Sequence, residues 1–257
     1  MPTYRLLIEY EGTKFAGWQV QASGRTVQGV LLDTLRTITG ERGLDLQGAG
    51  RTDAGVHALG QVAAAEVPER WEPEALRRAL NALLPADVWV AGAHREVPGF
   101  DPRRHALERT YCYRIGTDAA SRGPFRRRWE WGVRGPVDAT LLRSAAAGLV
   151  GTHGFQALSA AGPAREHWRC RVREALWQVR EDAPGLEFWI TADRFLHKMV
   201  RFLVGTMVDI GHGRRPLADL ERLLHGDDNR LASPPAPPHG LFLVAVRYPT
   251  PHDAGRP

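Results

Sequence analysis

The chain has 257 residues, enough to bury one large core or two modest ones without disulfide or metal staples. Its two cysteines, Cys112 and Cys170, form neither a disulfide framework nor a zinc-binding pattern, which predicts a cytoplasmic protein in a reducing compartment. The absence of a basic leader and of a long apolar run argues against secretion and membrane insertion. The net charge of +5 fits an anionic partner such as RNA, although a GC-rich genome also explains a chain whose only lysines are Lys14 and Lys198.

The N-terminal part predicts the element order β-α-β-α-β. Residues 3–10 alternate apolar and polar side chains, the pattern of a half-buried strand. Thr26 and Gly40 are placed to cap the two ends of a helix whose apolar positions recur at helical spacing. A helix beginning at Pro73 is expected between two further strands, at residues 61–67 and 88–97.

The remainder of the chain predicts a second half with a similar order. A strand near residues 107–115 opens it, and Asp138 caps a helix that ends near Leu149. Apolar helical patterns then occupy residues 199–208 and 217–224. Three more strands are expected, at residues 172–179, 186–192 and 241–248.

This order favours an α+β protein with two similar halves, in which the helices pack on one side of a mixed, largely antiparallel sheet. We expect an N-terminal half at residues 1–104, a C-terminal half at residues 105–249 and a frayed tail at residues 250–257. The proline-rich run at residues 234–238 is typical of a stiff, solvated connection.

One segment stands out chemically: residues 50–58, which read Gly-Arg-Thr-Asp-Ala-Gly-Val-His-Ala. Its glycines allow positive φ or close approach of another backbone, as a loop around a ligand requires. Asp53 is therefore a candidate functional carboxylate on a loop between two elements. The alternative is a surface turn in which Asp53 only hydrogen-bonds its own backbone.

Arg201 is the only charge in the apolar run at residues 199–208. A helix that is apolar on all faces is usually buried, and a buried guanidinium needs an anion. Asp53 is a candidate partner, because pairing with a guanidinium keeps a carboxylate ionised for nucleophilic or basic chemistry. Snorkelling of the Arg201 side chain to water is the other possibility.

Three competing kinds of site are disfavoured around Asp53. Gly48 and Gly50 begin a dinucleotide-binding pattern, but Asp53 stands where its third glycine would be and would repel a pyrophosphate. Asp53 and His57 have no further metal ligand at useful spacing, so His57 is expected to be a hydrogen-bonding residue. A glycosidase needs two carboxylates, and this neighbourhood offers one.

Aromatic residues with adjacent arginines, which can stack on bases and hold phosphates, occur in two places. The first is residues 100–104, with Phe100, Arg103 and Arg104. The second is residues 125–129, Phe-Arg-Arg-Arg-Trp, for which an ordinary solvated loop is the favoured interpretation. Residues 168–171 form a looser basic cluster of the same kind.

Four stretches resemble the tRNA pseudouridine synthase A family. They are the segment at residues 50–58, the string Arg-Thr-Tyr-Cys-Tyr-Arg at residues 109–114, a predicted helix at residues 195–201 with Gly205, and the ending at residues 240–249. The resemblance extends from Tyr4 to Pro249, and the wording of the aspartate motif is specific to this family.

The resemblance implies the pseudouridine synthase fold and an isomerase that works without a cofactor or metal. It implies that Asp53 is the nucleophile, that Arg51 helps to extrude the target nucleotide, that Tyr111 stacks on the flipped uracil and that Arg201 pairs with Asp53. Without the resemblance, the alternative interpretation of Tyr111 is an aromatic residue of the core. The resemblance also implies a tRNA substrate, with the target uridines at positions 38 to 40 of the anticodon stem and loop.

Two further expectations come from the resemblance. Residues 100–104 match an RNA-contacting segment, which favours substrate binding by Phe100, Arg103 and Arg104, with Arg103 the strongest. Because family members act as homodimers, the resemblance also implies that this protein forms a homodimer. A non-catalytic RNA-binding or tRNA-folding module is the alternative, and it would need none of Asp53, Tyr111 and Arg201.

Overall fold

The computed structural model describes residues 1–161 and 168–249. The strands in these ranges are β1 (Thr3–Tyr10), β2 (Gln47–Gly48), β3 (His57–Glu66), β4 (Val88–Arg95), β5 (Glu108–Gly116), β6 (Trp131–Gly132), β7 (Gly151–Gly154), β8 (Arg169–Val179), β9 (Gly185–Ala192) and β10 (Leu241–Arg247). The α-helices in these ranges are α1 (Val27–Thr39), α2 (Pro73–Leu83), α3 (Ala139–Ala147), α4 (Met199–Gly211) and α5 (Ala218–His225). Short 3₁₀ helices are at Gly12–Lys14, Ala119–Arg122, Asn229–Leu231 and Pro238–Gly240.

The described chain divides into two compact units. The first unit contains residues 1–107 together with residues 242–249, so that β10 from residue 242 onwards belongs with the N-terminal elements. Its strands follow the order β4-β1-β3-β10, and β2 pairs with β3. All of these pairs are antiparallel except that of β10 with β3, which is parallel.

Local sequence explains why β1 and α1 form. Buried and partly exposed residues alternate along β1, so one of its faces packs into the core. The side chain of Thr26 accepts a hydrogen bond from the Gly29 amide at the start of α1. At the other end Gly40 has a φ of 78°, the left-handed conformation that ends a helix at little cost for glycine.

The second unit contains residues 108–241. Its strands follow the order β5-β9-β8-β7 with antiparallel pairing throughout, and β6 adds a parallel pair to β5. In α4 the buried residues are all but Arg201 and Asp209. The expectation of a buried apolar helix is therefore confirmed. The α+β class with a mixed, largely antiparallel sheet is also confirmed.

The structure corrects three local predictions. β3 begins at His57, four residues before the strand start expected at residue 61. Residues 195–198 precede α4, which begins at Met199. The proline-rich run is not a solvated connection: Ala236 is 2% exposed, and its amide donates to the carbonyl oxygen of Arg201 at 2.9 Å.

Gly205 explains how the proline-rich run reaches α4 so closely. A Cβ at this position would lie 2.1 Å from the carbonyl oxygen of Pro234, so only glycine fits. The tail expected at residues 250–257 lies outside the described residues. None of the helices in the described ranges has the length and apolar character that crossing a bilayer requires.

Candidate active site

The aspartate motif forms a turn that leads into β3. Gly55 has a φ of 79°, and the amide of Val56 donates to the carbonyl oxygen of Asp53 at 3.2 Å. Within the turn Thr52 is buried, Asp53 is half-buried and Arg51 is exposed. The carboxylate and the guanidinium are therefore presented at the surface end of a turn whose backbone is anchored.

The segment between β1 and α1 fixes this turn from one side. The amide of Trp18 donates to the carbonyl oxygen of Thr52 at 3.1 Å, and the amide of Gly55 donates to that of Phe15 at 3.3 Å. Gly17 allows this proximity, because a Cβ there would lie 2.7 Å from the Thr52 carbonyl oxygen and its φ is 106°. The two backbones are thus in direct contact around Asp53.

Side chains add a second set of restraints to the turn. The hydroxyls of Tyr10 and Thr52 are 2.8 Å apart and buried. The side-chain amide of Gln61 donates to the carbonyl oxygen of Gly50 at 3.0 Å. Residues on both sides of Asp53 are therefore hydrogen-bonded, which limits the positions that its carboxylate can take.

His57 is a structural residue of this arrangement. Its side chain is 1% exposed, its Nδ1 accepts the amide proton of Gly12 at 3.0 Å, and its ring stacks on Phe242 with centroids 4.8 Å apart. Because Nδ1 accepts, the neutral ring carries its proton on Nε2. The expected hydrogen-bonding role is confirmed. Among the described residues, no group of three or more His, Cys, Asp or Glu side chains could hold a metal.

The segment at residues 100–104 lies in the same unit as Asp53, and it is Phe100 that fixes it there. Phe100 is 5% exposed and belongs to a buried cluster with Ala49, which precedes the motif, and with Tyr248. Its ring is 5.3 Å from that of Tyr248. The ring is therefore largely enclosed by protein and anchors the segment, whereas its expected contact with substrate stays a prediction.

The two arginines of this segment have the exposure that phosphate contacts require. Arg103 and Arg104 are exposed, and their amides both donate to Oδ1 of Asp101, at 2.8 and 2.9 Å. Burial favours the neutral acid, but the amides of Arg104 and Arg103 outweigh it and lower the pKa of Asp101. Asp101 thus fixes the backbone from which both guanidinium groups extend.

Tyr111 lies in the second unit, on β5 opposite Ile190 of β9. It is 8% exposed, and its ring meets that of Phe195 edge to face, with centroids 4.9 Å apart and planes at 82°. This packing fixes the orientation of the ring and suits an aromatic that must hold one position. Phe195 begins the segment at residues 195–201 that resembles the family, and its contact with Tyr111 gives it a supporting role.

Arg201 is partly exposed, in contrast to the residues around it on α4. Its Nε donates to the carbonyl oxygen of Ala236 at 2.7 Å, which restrains the side chain. The neighbouring Tyr113 is fully buried and donates its hydroxyl to Pro237 at 2.8 Å. Burial raises the pKa of Tyr113 well above its usual value, so this hydroxyl remains a donor.

The looser basic cluster lies at the start of β8. Trp168 and Arg169 line an open cleft of about 520 Å³ together with His153 and His225. The Nη2 of Arg169 donates to the carbonyl oxygen of Thr152 at 3.2 Å, so this guanidinium has a structural partner.

Sequence reasoning missed the residues that support the motif. These are Gly12, Gly17 and Trp18. In addition, an ion pair between Arg25 and Asp87, whose Nη1 and Oδ2 atoms are 2.7 Å apart, connects the segment before α1 to the residue before β4. The two glycines in the short segment after β1 were the available signal, because each can admit a second backbone. Nothing in the local pattern says which backbone that is.

These features define an α+β protein with an exposed arginine and a restrained aspartate on one turn. The family model for tRNA pseudouridine synthase matches residues 6–98 and 145–249. The chain therefore belongs to the tRNA pseudouridine synthase family, and it is an isomerase, as the resemblance predicted.

Relatives of similar length agree with this assignment. A protein of Myxococcus xanthus is 42% identical over 96% of this chain and 92% of its own length. A protein of Geobacter sp. (strain M21) is 39% identical over 97% and 100% of the two chains. One of Azorhizobium caulinodans is 40% identical over 97% and 95%. All three are named tRNA pseudouridine synthase A.

Proposed function

We propose that this protein converts uridine to pseudouridine in tRNA, at positions 38, 39 and 40 of the anticodon stem and loop. The observation that carries this proposal is the family match over nearly the whole chain, in a protein that presents Asp53 on an anchored turn. The name shared by the relatives supports the substrate class.

The reaction exchanges one glycosidic bond for another. A stacked uracil cannot present its glycosidic face to a protein carboxylate, so the nucleotide must first leave the helix, at a cost of about a few kcal/mol. Arg51 is exposed two residues before Asp53, and we assign it to the vacated space or to the extruded backbone. Contacts of this kind offset the cost of extrusion.

Asp53 is the proposed nucleophile, acting on the base or on the ribose. The bond from N1 to C1′ breaks with its electron pair left on N1, the uracil turns, and C5 bonds to C1′. N1 takes up a proton, the proton on C5 is released to solvent, and any bond formed to Asp53 breaks again. No redox partner is needed, because one proton is gained, one is lost and no electrons are transferred. Tyr111 is assigned to stacking on the flipped uracil, and Arg201 to supplying the positive charge that an ionised aspartate requires.

Phosphate binding is assigned to Arg103 and Arg104, which extend from a segment that the buried Phe100 anchors. We further propose a homodimer in the cytoplasm, as the family resemblance implies. Cys112 and Cys170 are buried and form no disulfide bond with any described residue, which is compatible with a reducing compartment.

The substitution Asp53→Asn tests the catalytic assignment. It keeps the size of the side chain and removes its charge and most of its nucleophilicity, so product formation should become undetectable over hours. Affinity for tRNA should stay within about threefold of the parent, since phosphate contacts are unchanged. Release of label from C5 of uridine and a binding titration are measured on the same preparation.

Asp33→Asn is the matched control, because it makes the same change on the exposed surface of α1, where the carboxylate is 81% exposed. Turnover in the Asp53 variant would remove this residue from its role. Loss of binding together with turnover would identify a structural aspartate. Binding without label release by the parent protein would favour the non-catalytic RNA-binding module.

A further inference from the structure

The most exposed large apolar side chain among the described residues belongs to Phe125, which is 91% exposed. It lies in a segment of the second unit that we call the 122–129 loop, with the sequence Arg-Gly-Pro-Phe-Arg-Arg-Arg-Trp. Trp129, four residues later, is 38% exposed. An aromatic ring exposed to this degree has faces open to a planar partner.

Backbone hydrogen bonds hold the loop in successive turns. The amide of Gly123 donates to Ala120 at 2.9 Å, and the amides of Arg126 and Arg127 donate to Gly123 at 3.2 and 2.9 Å. The amide of Trp129 donates to Arg126 at 2.9 Å. Phe125 is therefore displayed from an ordered turn, so that little conformational entropy remains to be lost on binding.

A buried ion cluster fixes the base of the loop. The Glu130 side chain is 2% exposed and lies between two guanidinium groups. One is that of Arg126, at 2.6 Å, which also pairs with Asp118 at 2.8 Å. The other is that of Arg180, which is 6% exposed and also pairs with Asp182 at 2.8 Å. The Arg180 contact lowers the pKa of Asp182, so that partner stays charged.

The carboxylates of this ion cluster are paired with Arg126 and Arg180. The outer surface of the 122–129 loop is therefore positively charged. Arg122 and Arg127 are exposed, and neither forms an ion pair within the described ranges. Exposed arginines thus lie three residues before and two residues after the exposed Phe125 in the loop. A protein surface would have to bring several carboxylates to match them, whereas a nucleic acid strand supplies both the phosphates and the bases.

We propose that the 122–129 loop is a second RNA-docking surface, in which Phe125 stacks on an unpaired base of tRNA while Arg122 and Arg127 contact phosphates. The proposal rests on the proposed function for the class of RNA. It assigns to the loop a contribution to affinity, separate from the chemistry of the aspartate turn.

Binding and turnover of full-length tRNA test the proposal. Phe125→Ala should raise Kd about tenfold, the loss expected for one stacked base, whereas Phe125→Trp should keep it within about twofold. Arg127→Ala should lower the slope of log K against log salt by about one. Because the loop acts in binding, label release at saturating tRNA should match the parent in all three variants.

Matched controls remove equivalent groups elsewhere in the same unit. Leu231→Ala deletes an apolar side chain that is 63% exposed, and Arg143→Ala deletes an exposed arginine on α3. Both should bind tRNA as the parent does. Phe125 variants should also unfold at the parental temperature, because an exposed ring contributes little to folding.

Two outcomes would refute the proposal that the 122–129 loop binds RNA. One is tRNA affinity in Phe125→Ala and Arg127→Ala equal to that of the parent. The other is conversion of an oligomer to a monomer by Phe125→Ala in sedimentation, which would mean that a second copy of the chain covers the loop. If the parent neither binds nor modifies tRNA, the proposed function itself fails; normal parental activity with unaffected variants refutes only the surface.

Discussion

The backbone of Val56 leaves no room for a side chain at Gly12. The substitution Gly12→Ala should therefore disable the enzyme without abolishing RNA binding. A Cβ at Gly12 would lie 2.0 Å from the carbonyl oxygen of Val56 and 2.5 Å from its carbonyl carbon. Both atoms belong to the backbone, so rotation of a side chain cannot relieve the clash. The Gly12 amide also donates to Nδ1 of the buried His57 at 3.0 Å, which holds the two segments together.

The size of the effect follows from these distances. Contacts closer than 3.0 Å are essentially never made by Cβ atoms, so the turn that carries Asp53 must move by about 1 Å to clear a Cβ placed at 2.0 Å. A displacement of about 1 Å at a catalytic group can lower turnover about 100-fold. Overpacking of this kind destabilises by about 1–3 kcal/mol, which lowers Tm by about 2–12 °C for a chain of this size.

Label release from C5 under single-turnover conditions, a tRNA titration and a thermal melt measure the three quantities. Gly43→Ala is the matched control, because a Cβ there meets no atom within 4 Å and should leave all three at parental values. The expected pattern for Gly12→Ala is a large fall in rate with affinity nearly unchanged. A rate within about threefold of the parent, with the Tm of the Gly43 variant, would refute the claim that this contact positions Asp53.

Two further predictions concern charge. Arg103→Ala should weaken tRNA binding and lower the slope of log K against log salt by about one, because one phosphate contact is lost; a salt-independent affinity of the parent would refute the electrostatic account. Asp87→Asn should lower Tm by about 2 °C near neutral pH, since Arg25 donates two hydrogen bonds of 2.7 Å to that carboxylate. These hydrogen bonds lower the pKa of Asp87, so its contribution is present above the usual carboxyl range and is lost as the pH falls through the lowered value. The Tm difference between the two proteins should therefore begin to shrink below about pH 4 and vanish only below the lowered pKa of Asp87, and a difference that does not shrink with falling pH would contradict the assignment.

The sequence by itself determined the elements whose signals are local. β1 occupies residues 3–10, where apolar and polar residues alternate, and α1 lies between the caps expected at Thr26 and Gly40. Period and capping depend on neighbours within one or two turns, so the chain encodes them wherever it folds. The aspartate motif could also be recognised from the sequence, because its residues are contiguous.

Tertiary structure alone decided which distant segments meet. The sequence does not reveal that Phe100 packs in a buried cluster with Ala49 and Tyr248. The proline-rich run looked solvated and instead packs on α4, because Gly205 leaves room for its backbone. The sequence does not predict that Gly12 packs against the backbone of Val56, which only the folded structure shows. Periodicity and capping report a segment's own conformation, whereas these contacts depend on partners far along the chain, which no local pattern specifies.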